Sequence, residues 1–217
     1  MDRITRPAHR ALAAVLVLAA ALTGGCVQGQ GPVTSETREI RPFSAIEVGA
    51  GIHLAFSIGA TDHLEVRAQA NILPAIATDV SGGTLTIEAR DDFTTSEPVT
   101  VTVVGPLLER IALSGGAQGR LEGIAAGAIE LTLKGGAHLT IAGSADAVTL
   151  IADGGSVAEL ADLAATRVSV ALAGGAGATV RAADEVTGIA SGGSRLSVLG
   201  DPSIAVDVSG GASVARP

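Results

Sequence analysis

From residue 110 to the end of the chain, apolar and polar positions alternate with a period of two, interrupted by glycine pairs beginning at Gly115, Gly135, Gly154, Gly174, Gly192 and Gly210. The pairs are 20, 19, 20, 18 and 18 residues apart. Two positions before each pair stand Leu113, Leu133, Ala152, Leu172, Ala190 and Val208, and four before stand Ile111, Leu131, Leu150, Val170, Gly188 and Val206. Four and six positions after, the third pair is followed by Ala158 and Leu160, the second by Leu139 and Ile141. Alternation on both sides predicts strands, a fixed period predicts stacked units, and the glycines predict a corner repeated in every unit. Two residues past each pair comes Ala117, Ala137, Ser156, Ala176, Ser194 or Ala212, small enough to pack inside that corner. One coil of about 19 residues cannot bury its apolar face alone, so the pattern predicts an all-β parallel solenoid of five to six rungs.

The first half of the chain has the strand pattern without the period. Alternating runs at 46–48, 52–56, 64–66 and 99–103 predict strands, while Gly82-Gly83 is out of phase and predicts a hairpin turn between 76–80 and 84–87. We therefore expect residues 38–104 to form an N-terminal β region that caps or starts the stack, and 105–217 to form the repeated rungs. Arg41-Pro42-Phe43-Ser44-Ala45-Ile46-Glu47-Val48, then Asp79-Val80-Ser81-Gly82-Gly83-Thr84-Leu85-Thr86-Ile87, then serial Gly-Gly-Ala/Ser motifs resemble, in order and spacing, the auto-transporter adhesin head family, also called the GIN domain. The resemblance covers about residues 38–215. It implies a right-handed parallel β-helix in an exported bacterial protein with an adhesin-like role, and it carries over no catalytic residue.

The first 26 residues change the picture of where the protein works. Arg3, Arg6 and Arg10 precede an uncharged run from Ala11 to Leu22, the order of a secretory signal. That run is too short to span ~30 Å of hydrocarbon at ~1.5 Å per residue. It ends in Leu22-Thr23-Gly24-Gly25-Cys26, which resembles the lipobox of bacterial lipoproteins, with Thr23 where an aliphatic residue is usual. The resemblance implies cleavage after residue 25, a lipid-modified Cys26, and, because Val27 and not Asp follows, an outer-membrane lipoprotein in the cell envelope. Cys26 is the chain's one cysteine and has no disulfide partner within it. Residues 26–37 are expected to be a flexible tether.

Composition narrows the partners. The chain has 29 Gly, three Phe, and no Trp or Tyr, so a cleft that stacks sugars or bases on aromatic rings is disfavoured. Loss of residues 1–25 removes three arginines and one aspartate, taking the formal charge from −8 to −10 and disfavouring nucleic acid. The expected partners are a membrane, through the lipid, and an envelope protein or glycan; no cofactor is expected.

Candidate chemistry is sparse. β-Helices also carry polysaccharide-active enzymes, which need clustered carboxylates on adjacent rungs. Asp91-Asp92 falls in a loop, and Asp153, Glu159 and Asp162 share a rung that reads equally as a solvated acidic face. Glycine-rich calcium-binding rolls place an Asp where this chain has Arg120, and His53, His63 and His138 lack metal-ligand spacing. No catalytic or metal site is expected. An adhesin-like interaction module is the leading expectation; a structural envelope lipoprotein and, more distantly, a carbohydrate enzyme remain open. In the stack, Lys134 and Asp153, just before their glycine pairs, are expected to meet on adjacent rungs as a surface ion pair.

Overall fold

The computed structural model describes residues 26–217, so the signal-type segment lies outside the described residues. Seventeen strands occur in the order β1 Val27–Gln28, β2 Val33–Arg38, β3 Ala45–Val48, β4 His53–Ile58, β5 His63–Gln69, β6 Ile76–Ser81, β7 Thr84–Ala89, β8 Phe93–Thr94 and β9 Thr100–Gly105. They continue as β10 Arg110–Leu113, β11 Gln118–Leu133, β12 His138–Ala152, β13 Val157–Leu172, β14 Gly177–Ala190, β15 Arg195–Leu199, β16 Ser203–Val208 and β17 Ser213–Ala215. A short 3-10 turn, Leu73–Ala75, precedes β6. The chain winds as a β-solenoid of about five turns, stacked through parallel ladders.

The register is the one set by the glycine period. On the side that leads into each corner, Ile111, Leu131, Leu150, Val170, Gly188 and Val206 stand in one column, and Leu113, Leu133, Ala152, Leu172, Ala190 and Val208 in the next. On the side that leaves the corner, Gly119, Leu139, Ala158, Ala178, Leu196 and Val214 align in the same way. These residues fill the core except in the outermost layer, where Val208 is 48% exposed. A third side carries Ile124, Ala145, Leu163 and Ala182 inward, and there the ladders slip, between Leu121 and Ile124, Thr140 and Ala142, and Leu160 and Ala165. The 18-to-20-residue variation in rung length is taken up by these bulges, leaving the glycine corners in line.

Each corner is a two-residue turn closed by an i-to-i+3 bond, as from the Ala117 amide to the Ser114 carbonyl at 3.1 Å. Both central glycines have positive φ, 59° and 75° at Gly115 and Gly116, the geometry of a type I′ turn. The second glycine's amide then donates to the next rung, Gly116 to the Gly135 carbonyl at 3.0 Å and Gly136 to that of Gly154 at 3.1 Å. Inside the corner, Ala117, Ala137, Ser156, Ala176 and Ser194 are fully buried.

The N-terminal region both begins and caps the stack, in an order the sequence period does not show. Strands β3 and β4 form a rung against β10 and β11, with Ala50-Gly51 at its corner in place of a glycine pair. The next layer outward is β7 and β9, which come later in the chain. The hairpin about Gly82-Gly83 is present: β6 pairs antiparallel with β7 and covers that edge, while β5 covers β9 and β2 covers β5.

Two expectations are corrected. The segment 26–37 is not a free tether, since β1 pairs with β8 and β2 pairs with β5 along its length. Arg38 fastens it, donating to the carbonyls of Ile76 at 2.6 Å and Leu73 at 3.0 Å. Strand β2 is exposed at four central positions, so it lacks the apolar alternation that marks a strand in sequence. Lys134 and Asp153 are neighbours in register but form no ion pair; Asp153 Oδ1 instead accepts from the adjacent Gly154 amide at 2.6 Å, inside the turn that the Ser156 amide closes onto the Asp153 carbonyl.

Candidate functional site

Outward positions, which the core does not dictate, are where function must be sought. On the side leading into the corners, Thr149, Ser169 and Thr187 form one outward column and Ile151, Ala171 and Ile189 the column beside it. Ile151 is 44% and Ile189 53% exposed; these two columns are themselves uncharged from Thr149 and Ile151 to Thr187 and Ile189, and the next outward column holds Arg167 and Glu185.

The side leaving the corners holds the molecule's other distinctive surface. Thr100, His53, Gln118 and His138 occupy one outward column over four successive layers, and Thr102, Ala55, Arg120 and Thr140 the adjacent one. Ala55 is short among longer neighbours, and over it opens a groove of about 380 Å³ whose polar lining is Thr100, His53, Gln118, His138, Arg120 and Thr140. Arg120 donates its Nε to Glu122 at 2.8 Å, with both side chains largely in solvent. A concavity of about 400 Å³ between β10 and β11 is instead spanned by the Arg110–Glu130 ion pair at 3.1 Å.

The carboxylates singled out in the sequence do not converge. Asp91 and Asp92 are exposed in a bend; Asp153 sits at a corner, Glu159 beside Thr140, and Asp162 on the third side opposite Ala142. Among the described residues, no three His, Cys, Asp or Glu side chains come together as a metal cluster. His63 lies apart on β5, whereas His53 and His138 flank Gln118 in the groove. That meeting was readable: His53, Gln118 and His138 each stand three positions after the first residue of a corner, but only if Ala50-Gly51 is recognised as one.

Cys26 is exposed, its Sγ 3.1 Å from Thr94 Oγ1, next to the outermost N-terminal layers.

A family model described as "Putative auto-transporter adhesin, head GIN domain" matches residues 42–202. Among solved structures, one described as a putative adhesin from Bacteroides fragilis is similar at a TM-score of 0.73 and 17% identity, covering 88% of this chain and 100% of that one. Another so described, from Parabacteroides distasonis, is similar at a TM-score of 0.58 and 17% identity over 89% of this chain and 100% of that one. At such identities the likeness is one of fold. No curated protein matches the chain.

Proposed function

The chain belongs to the auto-transporter adhesin head, or GIN-domain, family, and on that premise we propose that it is an exported, lipid-anchored interaction module of the bacterial cell envelope, without catalytic activity. The observation that carries the reading is the strip made by the pair of outward columns Thr149, Ser169, Thr187 and Ile151, Ala171, Ile189, flanked by Arg167 and Glu185. Two half-exposed isoleucines, two layers apart on one outward column with Ala171 between them, offer apolar surface that a partner could cover. No clustered carboxylates of the kind a glycosidase needs accompany them.

Cys26 is the proposed point of attachment. It stands at the capped N-terminal end, so a membrane there would leave the successive rungs, and the strip, pointing away from it. A diacylglycerol thioether plus an acylated amine exceeds what one chain can hold stably. Replacing Cys26→Ser should move the protein from the membrane to the soluble fraction and abolish fatty-acid labelling; a variant that stays labelled and membrane-bound would contradict the anchor.

The interaction itself is tested by adhesion of cells that express the chain. Ile151→Asp with Ile189→Asp should lower adhesion at least several-fold while leaving the unfolding midpoint within a degree or two, since both side chains already face solvent. If adhesion is the same with and without the chain, the reading fails.

A further inference from the structure

We infer that the groove above Ala55 binds an anionic saccharide, with a hexuronate carboxylate held by Arg120 and sugar hydroxyls held by Gln118, His53 and His138. The inference rests on reading the chain as an interaction module and gives that module a second contact, distinct from the isoleucine strip.

Four observations support it. The first is chemical: the polar side chains lining the groove are His, Gln, Arg and Thr, with no carboxylate among them. The concavities at β10, β3 and β6 and the one sharing Arg120 each include Glu or Asp. In a protein of formal charge −8, a donor-rich groove free of carboxylates is the local exception that an anion can approach.

The second concerns Arg120. Its Nε donates to Glu122, which leaves the two terminal amino groups outside that hydrogen bond as a fork, on a residue that lines the groove. Such a fork matches a carboxylate with two parallel hydrogen bonds.

The third is spacing. Successive layers are ~4.8 Å apart, so the column from Thr100 to His138 offers side-chain groups over ~14 Å. Amide, imidazole and hydroxyl groups on that ladder can each donate to or accept from a sugar hydroxyl. A short oligosaccharide lying along the stack would meet one such group per layer.

The fourth separates a saccharide from a peptide. A peptide strand would need a free sheet edge, yet β4, β9 and β11 are paired on both sides here. A compact peptide anchor would need an apolar or aromatic pocket, and the apolar side chains lining this groove are only Ala55 and the buried Leu54. Glu159, one layer beyond Thr140, bounds the anion-tolerant stretch on the side of the later rungs.

Calorimetric titration of the purified full chain with trigalacturonate, triglucuronate, and the matching neutral trisaccharides tests this. We expect a uronate to bind and its neutral counterpart to bind about tenfold more weakly or not at all, ~1.4 kcal/mol or more. Arg120→Gln should weaken uronate binding by a similar factor, and Ala55→Leu, which fills the groove without touching a polar group, should abolish it. Arg195→Gln, on the same side but several layers away, should change nothing. Unfolding midpoints of the variants establish that each is folded. Binding of neither uronate, equal binding of the neutral sugars, or unaltered binding by Ala55→Leu would overturn the inference. So would an acidic peptide that binds as well as the uronate, or inorganic sulfate that displaces it at equal concentration. Because adhesion through the isoleucine strip is measured separately, a failed titration with chain-dependent adhesion removes the groove alone, whereas an intact titration with adhesion that is the same with and without the chain removes the strip.

Discussion

The two glycines of a corner face different constraints, although both have positive φ. A methyl group added at Gly192 would come within 3.0 Å of the Gly174 backbone nitrogen on the preceding rung, whereas one added at Gly193 would meet nothing within 4 Å. From Gly154 onward the first glycine is therefore required by both conformation and close approach, the second by conformation alone; at Gly115 and Gly135 the added methyl would stand 3.4 and 3.5 Å from the preceding rung, an ordinary contact. Ala50 illustrates the rule: it takes the first position with φ 57° in the corner that has no other corner stacked beneath it. Gly192→Ala should cost roughly 2 kcal/mol or more, and Gly193→Asn, a residue that tolerates the left-handed region, less than about 1 kcal/mol. Denaturant unfolding compares them, and equal losses would show that inter-rung contact is not what selects the first glycine. Leu133, fully buried in the middle of the stack, tests the core: Leu133→Ala should lose about 2–5 kcal/mol. An unchanged midpoint would mean that the inward register is wrong.

At the scale of strands, what was legible in the sequence was whatever repeats. The glycine period fixes which residue sits over which from Arg110 onward, because a one-residue slip would turn every Leu and Val of a rung into solvent. What was not legible is the order of the first layers. Strands β3 and β4 precede β7 and β9 in the chain but lie between them and β10, and a periodicity read along the chain has no means of showing such an insertion. The corner at Ala50-Gly51 is also hidden, since Ala replaces the marker glycine and Ile52 takes the place of the small inner residue. The groove was missed for the same reason, its His53 belonging to that unrecognised corner. Paired cysteines resolve the point. Glu47 is opposite both Ala112 and Thr86, so cysteines at 47 and 112, or at 47 and 86, should join through a short crosslinker. Cysteines at 86 and 112 stand two layers apart, ~9.6 Å, and should join poorly. Joining of 86 with 112, and not of 47 with 112, would place the layers in chain order. Cysteines at 134 and 153 should also crosslink, even though the native side chains form no ion pair there.

At the scale of the whole molecule, eight layers on the side leading into the corners, from β7 to β16, give a stack ~34 Å long. One end is closed by antiparallel strands and carries Cys26; the isoleucine strip belongs to the later rungs. An anchored stack of this kind would hold its contact surface away from the membrane, which is useful only if that surface reaches something outside the compartment that made it. Lys134, the single lysine of the chain, is exposed midway along the stack and provides the test. A membrane-impermeant amine-reactive reagent applied to intact cells should label the protein, and Lys134→Arg should remove that label while leaving the amount of protein unchanged. Labelling that appears only after the cells are broken would place the module behind a membrane and contradict its role as an adhesin-like surface contact.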